Sequence, residues 1–258
     1  MTHANAGVTT LPVPHLHWAL FLDVDGTLVE ITDTPHNTRV APGTLLLLLR
    51  LATLLDSALA LVSGRPIRDV DRMFAPHQFA TAGVHGLEYR NRTGLITLDE
   101  SSARLNSART AIRDFVRSSP GVIVEDKGVA LTVHYRLAPD VEPAIRRLMT
   151  ELAGELGDEF HVQEGKMLLE LKPTHRDKGH AVASFMAESP FLHRVPVYVG
   201  DDVTDEDGFA TVNGLGGLSI RVGSGTNSKA RYTIASVHHV LEWLEGVAAT
   251  LAAQRDRT

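Results

Sequence analysis

Two aspartates one residue apart, Asp23 and Asp25, stand in the run Asp23-Val24-Asp25-Gly26-Thr27. Alternate side chains of an extended chain point the same way, so both carboxylates can enter one site. So close together they repel unless a proton or a cation intervenes, and a hard, oxygen-seeking ion such as Mg²⁺ meets that need. A second acidic run, Gly200-Asp201-Asp202-Val203-Thr204-Asp205-Glu206-Asp207, can complete the coordination of the same ion. Asp201, at its head, is the better placed for metal, whereas Asp205–Asp207 also suit a helix start, where the macrodipole favours negative charge. Ser63, followed by Gly64, offers a hydroxyl and backbone N–H groups to a phosphate. Lys178 offers a positive point charge to the same group. The ordinary alternatives are an acidic turn, a helix cap and a solvated lysine.

These residues sit where strands end. Trp18–Leu22 is a continuous apolar run leading into Asp23, as in a strand buried on both faces. A helix over Pro42–Asp56 and a strand over Ala58–Val62 follow, then Ser63-Gly64-Arg65-Pro66 opens a helix with Pro66 at its first position. Downstream the same grammar returns as a helix over Asp177–Glu188, a strand over Val195–Val199, the acidic run with a short helix to Thr211, a strand over Leu218–Val222 and a helix over Ser236–Ala252. Strands alternating with helices predict an α/β fold with a doubly wound parallel sheet, whose strand carboxyl ends face the ligand crevice. Between the halves the rhythm is αββαββ: helices over Ser102–Arg117 and Pro139–Leu156, strands over Val122–Glu125, Val129–Tyr135, Phe160–Gln163 and Met167–Leu171. That predicts a four-stranded antiparallel sheet backed by two helices. The expected organisation is a flexible leader over 1–17, a core over 18–101 and 173–258, and an inserted α+β domain over 102–172.

The 258 residues are 43% hydrophobic and 22% charged, which excludes a disordered chain or a collagen. Without cysteine there is no disulfide, thiolate metal cluster or Cys nucleophile, so covalent chemistry falls to Ser, Thr, Asp, His or Lys. A net charge of −6 argues against nucleic acid and anionic membranes as partners. The apolar stretch 44–62 is broken by Arg50 and Asp56, which a membrane span tolerates poorly. With no secretory pattern in the first eighteen residues, a cytoplasmic protein is expected. Asn213-Gly214-Leu215-Gly216-Gly217 precedes a strand, the wrong order for a dinucleotide loop, and the thirteen scattered histidines form no His-x-x-x-His zinc pair on a helix.

Taken in order, Asp-x-Asp-Gly-Thr, Ser63, Lys178 and Gly-Asp-Asp resemble the four motifs of the haloacid dehalogenase-type (HAD) phosphotransferase superfamily. The resemblance spans residues 18 to 222 and implies a HAD-like core with an inserted, C2-type cap. It implies that Asp23 attacks phosphorus to form an aspartyl-phosphate, and that Asp25 protonates the leaving oxygen and then activates water. Mg²⁺ would be held by Asp23, Asp201 and the Asp25 carbonyl, with Asp202 and Asp205 as outer or water-mediated partners, and Ser63 and Lys178 would hold the phosphoryl oxygens.

The insertion carries more particular motifs. Val124-Glu125-Asp126-Lys127-Gly128, His134-Tyr135-Arg136, Gly165-Lys166-Met167-Leu168-Leu169-Glu170, and in the core Ala82-Gly83-Val84-His85-Gly86, resemble those of the trehalose-6-phosphate phosphatase family. That likeness implies a sugar-phosphate substrate bound by Glu125, Lys127, Arg136, Lys166 and Glu170 of the cap, with Arg65, His85 and Gly86 at the mouth of the core. It also implies hydrolysis of trehalose 6-phosphate as the last step of trehalose synthesis, a monomeric enzyme, and functional coupling to a trehalose-6-phosphate synthase. The chain has only five lysines, at 127, 166, 172, 178 and 229, and three stand at family positions. The readings set beside it are a HAD phosphatase for sucrose phosphate, mannosylglycerate phosphate or a hexose phosphate, a phosphomutase, and a non-catalytic sugar-phosphate sensor. A cap turning about connections near Glu100–Ser102 and Lys172–Thr174 is expected to admit substrate and then exclude water.

Overall fold

A computed structural model of the protein describes residues 11–32, 38–91, 93–94, 96–98, 100–174, 176–225 and 227–257. The side chains of 96–98 and 100–102 and residues 1–10 of the expected leader lie outside that description. In chain order the elements are β1 (Trp18–Leu22), α1 (Pro42–Leu54), β2 (Leu59–Val62), α2 (Ile67–Phe74), β3 (Ala80–Gly83), β4 (Glu88–Arg90) and β5 (Ile96–Leu98). Then come α3 (Asn106–Arg117), β6 (Ile123–Asp126), β7 (Leu131–His134), α4 (Glu142–Leu156), β8 (Phe160–Gly165) and β9 (Leu168–Pro173). The chain ends with α5 (Lys178–Met186), β10 (Val195–Gly200), α6 (Asp205–Gly214), β11 (Leu218–Val222), β12 (Tyr232–Ile234) and α7 (Val237–Arg255). Short 3-10 turns cover Val84–Gly86, Glu100–Leu105 and Pro139–Val141.

Eight strands form the larger sheet in the order β12-β11-β10-β1-β2-β3-β4-β5. Pairing from β12 to β3 is parallel, and β4 and β5 extend it antiparallel. From β1 the chain runs outward through β2 and β3, then returns to β10 on the other side of β1. The winding therefore reverses at the β1/β10 pair, and the crevice at the carboxyl ends of those strands is where ligands bind in such sheets. All five residues of β1 are buried. Helices α1 and α7 pack together, as do α5 and α6, and they bury Leu48, Leu51, Phe185, Phe209, Leu244 and Leu251 in the same cluster as the strands. Each such side chain contributes about 1.5–3 kcal/mol. Among the described residues no helix is long and apolar enough to cross a membrane.

The second sheet is antiparallel, in the order β6-β7-β9-β8, and α3 and α4 bury Ile112, Ile145 and Met149 in a separate core with its strands. This is the αββαββ insertion with strand ends shifted by a residue or two.

Several expectations need correction. Strands β3, β4, β5 and β12 are short; the sequence of β3 is Ala-Thr-Ala-Gly, low in β-branched and aromatic residues, and gives no pattern to read. Pro66 precedes α2 rather than occupying its first turn. The first N–H of that helix, on Ile67, is instead taken by Glu88 Oε2 of β4 at 2.5 Å. The start of the expected helix over Ser102–Arg117 is a 3-10 turn to Leu105. Of the expected leader, residues 11–17 are held to the core: Leu11 and Leu16 pack on it, and His17 O accepts from Val195 N at 2.8 Å.

Candidate active site

The register of the sheet builds the site. Leu22 pairs with Val199 and Asp23 N donates to Val199 O at 3.0 Å, so Asp23 and Asp201 leave neighbouring strand ends together. Beyond Asp23 the chain closes a tight loop in which Gly26 N donates to Val29 O at 2.7 Å. Gly26 has φ 81°, and a Cβ there would lie 2.3 Å from Asp201 Oδ2, so only glycine lets the second carboxylate come this close.

Lys178, at the start of α5, donates to Asp23 Oδ1 at 2.7 Å and to Asp205 Oδ1 at 2.6 Å. Asp23, Lys178 and Asp205 are 4%, 3% and 0% exposed, so these charges are satisfied by one another rather than by water. Asp205 also accepts from Tyr198 Oη at 2.8 Å on Oδ1 and from the backbone N–H groups of Asp201 and Asp202 at 3.0 and 2.9 Å on Oδ2. Four donors saturate it. Its place is thus behind the site, fixing Lys178 and the 201–202 loop, although one of its oxygens lies within 4.8 Å of an oxygen of Asp23 and one of Asp201.

That leaves more negative charge than Lys178 can offset. Burial raises Asp23 well above the ordinary carboxylate range, Lys178 pulls it back, and Asp205 and Asp201 push it up again. Burial, with Asp205 and Asp202, lifts Asp201 to about 6. Two crowded carboxylates with oxygens to spare, Asp23 and Asp201, fit a hard divalent cation. Asp25 is placed differently from the expectation of a shared face: Arg65 holds its carboxylate through two hydrogen bonds of 2.6 Å and also donates to Thr38 Oγ1 at 3.1 Å. The Asp25 side chain is therefore bound by a guanidinium at the mouth, and only its carbonyl stays a candidate for an ion.

Above this floor lies a cavity of about 610 Å³, lined from the core by Asp23, Asp25, Gly64, Arg65, His85, Lys178, Asp201 and Asp202 and from the insertion by Glu125, Lys127, Arg136, Lys166 and Glu170. It falls in the size range of small-molecule sites, about 300–1,000 Å³. Lys127 is no solvated turn residue: it is buried and donates to Glu170 Oε1 at 2.6 Å. Burial works against its charge, and Glu170 and Glu125 overcome this and raise its pKa. Glu125 bonds His134 at 3.2 Å; burial would raise its pKa, but His134 and Lys127 bring it below the ordinary value.

Three expected site residues do not face the cavity. Ser63 is buried, and its Oγ accepts from Arg65 N at 3.1 Å. Gly86 serves close packing, since a Cβ there would lie 2.8 Å from Asp177 O. Asp205 lies behind Lys178. Residues not foreseen include Tyr198, Thr38, Gln163 and Thr132, whose Oγ1 donates to Glu170 Oε1 at 2.8 Å. Thr132 meets Glu170 because β7 pairs with β9 at that register; a strand-by-strand periodicity of alternate positions would have placed Thr132 on one face with His134, though not opposite Glu170. The rim is apolar: Ile31, Ile123 and Leu137 are exposed and line the opening.

An Asp-x-Asp pair at the switch point of a parallel sheet, backed by a buried lysine and covered by an inserted antiparallel domain, defines a phosphatase of the HAD type. A phosphatase of the haloalkanoate (HAD) enzyme superfamily from Bacteroides thetaiotaomicron shares the fold, at TM-score 0.62 and 15% identity over 94% of this chain and 99% of that one. The family model for trehalose-phosphatase matches residues 21–239. The trehalose-6-phosphate phosphatase of Escherichia coli K12 is 39% identical over 96% of this chain and 93% of that protein. A crystal structure of a trehalose-6-phosphate phosphatase related protein superposes with TM-score 0.77 at 29% identity, over 92% of this chain and 99% of that one. The chain belongs to the trehalose-phosphatase family and is a phosphatase.

Proposed function

We propose that the protein hydrolyses trehalose 6-phosphate to trehalose and phosphate, with Mg²⁺, as the last step of trehalose synthesis. The observation that carries the reading is the Asp23–Lys178–Asp205 cluster, with Asp201 beside it, buried at the floor of a cavity whose other wall bears Glu125, Lys127, Lys166 and Glu170. The choice of substrate is supported by the trehalose-6-phosphate phosphatase of Escherichia coli K12, which matches nearly the whole chain.

In the first step Asp23 attacks phosphorus in line, the bond from phosphorus to the sugar oxygen breaks, and Asp25 gives its proton to that oxygen. In the second step Asp25 takes a proton from water, the resulting hydroxide attacks phosphorus, and the Asp23–phosphorus bond breaks, leaving phosphate and a free carboxylate. Lys178 fixes the Asp23 carboxylate and faces the transferring group with positive charge. Arg65 is held by the Asp25 carboxylate in the free protein; a phosphate entering the mouth competes for the guanidinium, and the freed carboxylate takes up from solvent the proton that it gives to the leaving oxygen. Asp23, Asp201 and the Asp25 carbonyl would hold Mg²⁺, which supplies charge neutralisation to the phosphoryl oxygens. Glu125, Lys127, Arg136, Lys166 and Glu170 read sugar hydroxyls, because a buried polar group left without its partner costs binding energy that a wrong substrate cannot restore.

Residues 102–172 act as the cap over the core, and a tight substrate analogue is expected to reduce the dimensions measured by solution scattering. The reading as a whole is tested by phosphate release over a panel of sugar phosphates with Mg²⁺. Trehalose 6-phosphate should give the highest kcat/KM, and preference for a hexose phosphate or for sucrose phosphate would overturn the choice of substrate.

A further inference from the structure

The turn that follows β3 is strained in a way that asks for a purpose. Val84 (φ 46°) and His85 (φ 55°) stand side by side in the left-handed region, a conformation that costs on the order of 1–3 kcal/mol per non-glycine residue. Val84 N donates to Arg65 O and His85 N to Ser63 O, each at 3.0 Å, so the turn is pinned to the floor of the mouth. The imidazole lies over Gly64, where a Cβ would be 2.7 Å from its Cε1.

Two contacts carry this turn across to the insertion. Val84 and Leu87 form a small apolar cluster with Val129 and Ala130, separate from the two main cores. Beside it, His85 Nε2 reaches Glu170 Oε2 at 3.0 Å. The other oxygen, Oε1, receives Lys127 Nζ and Thr132 Oγ1. Of these three donors His85 alone comes from the core.

The protonation states agree with that geometry. Burial would raise the Glu170 carboxyl, but Lys127 and His85 hold it well below the ordinary range, so it is an ionised acceptor. Burial brings His85 down to about 4 despite the pull of Glu170, with Lys172 and Lys127 adding to the fall, so the ring is neutral. A neutral ring bonded to an ionised carboxylate carries its hydrogen on Nε2. Nδ1 is then a bare acceptor, and it is buried without a partner. A strained backbone and an orphaned nitrogen are both tolerated to deliver one hydrogen bond across the boundary.

We propose that His85 is a positioning residue for the cap: acting through Glu170, it fixes the Glu170–Lys127 pair relative to Asp23 and so sets where the sugar is held. The proposal rests on the reading of Glu170 and Lys127 as sugar-binding groups. It gives His85 a role beside its expected place at the mouth of the core, where it lines the cavity.

The test measures kcat and KM for trehalose 6-phosphate, with Mg²⁺, in the full chain and in His85→Ala, His85→Gln, Glu170→Gln and the His85→Ala/Glu170→Gln double variant. One hydrogen bond to a buried charge corresponds to roughly a tenfold change or more. His85→Ala should therefore raise KM about tenfold or more and leave kcat within about threefold. His85→Gln, which keeps a donor within reach of Glu170, should recover most of the loss. The double variant should be no weaker than Glu170→Gln alone. An unchanged KM in His85→Ala, or losses that multiply in the double variant, would overturn the proposal. Nitrogen-15 NMR of the unaltered protein supplies a reading that needs no variant to fold: a neutral Nε2–H tautomer near neutral pH is expected, and a proton on Nδ1 refutes it. An unaltered protein that releases no phosphate from trehalose 6-phosphate would sink the choice of substrate, and the NMR measurement would still decide the His85–Glu170 bond.

Discussion

Asp205 offers the sharpest test of how the site is built, through the substitution Asp205→Asn. The aspartate accepts from Lys178 and Tyr198 on one oxygen and from two backbone N–H groups on the other. An asparagine keeps one acceptor and turns two N–H donors toward the other pair. If that side holds Lys178 and Tyr198, the charged bond to Lys178 is lost, while the Tyr198 hydroxyl can turn and accept from the amide; if it holds the backbone pair, two donors face donors and the 201–202 loop must move. Hydrogen bonds to charged groups are worth about 1.5–3 kcal/mol each, and breaking a buried ion pair from one side costs about 3–5 kcal/mol. Asp23 remains to pair with Lys178, so the lower end of that range applies and a loss of about 3 kcal/mol is expected, a large part of a total near 5–15 kcal/mol. Urea unfolding of both proteins in buffer containing a chelator checks it. If Asp205 anchors the site, the loss appears without any metal. If the two proteins agree within about 1 kcal/mol under chelation and differ only when Mg²⁺ is added, Asp205 is a ligand and this reasoning is refuted.

Two further outcomes are expected. Asp23→Asn should abolish turnover while retaining substrate binding, because the amide is nearly isosteric but a poor nucleophile; single-turnover kinetics and calorimetric titration check this, and measurable steady-state hydrolysis would count against Asp23. The pH dependence of stability should carry the mark of His85, which Glu170, Lys127 and Lys172 surround. Its folded pKa, about 4, lies below the ordinary value of about 6.5, so between those values the unfolded chain binds more protons. The contribution is fully present above about pH 6.5 and is lost as pH falls toward 4, up to about 3 kcal/mol. Comparing urea midpoints across that window with those of His85→Gln should show the slope diminished in the variant, and equal slopes would refute the assignment.

What could be read from the sequence was what an element announces by itself. Trp18–Leu22 and Val195–Val199 are apolar runs followed by aspartates, and their placement at the sheet's switch point follows from the alternation of strands and helices. The residues that escaped reading depend on partners distant in the chain. Ser63, expected to hold a phosphate, turns back on Arg65 because that loop folds under His85. Asp205, expected as an outer partner of an ion, is instead saturated by Lys178, Tyr198 and the backbone N–H groups of Asp201 and Asp202, which only the fold brings together. Asp25 shares its motif with Asp23 but leaves the floor because Arg65, from the loop after β2, claims it. Thr132 and Glu170 face each other through a β7–β9 register that no single strand encodes.

The pairing of β1 with β10 also governs how the molecule comes into being. The two strands flank the switch point, yet every residue of the insertion lies between them in the chain, so during synthesis β1 has β2 on one side and an open edge on the other until the ribosome has made Val195–Gly200. At about 5–20 residues per second, that interval is on the order of ten seconds or more. An apolar strand with an unpaired edge invites pairing with other chains. The insertion, whose core is its own, can fold during that interval, but it leaves β1 unpaired. Misassembly in the cell should therefore be most frequent in nascent chains that end before β10, and moving the chain termini into the insertion by circular permutation should shorten the exposure.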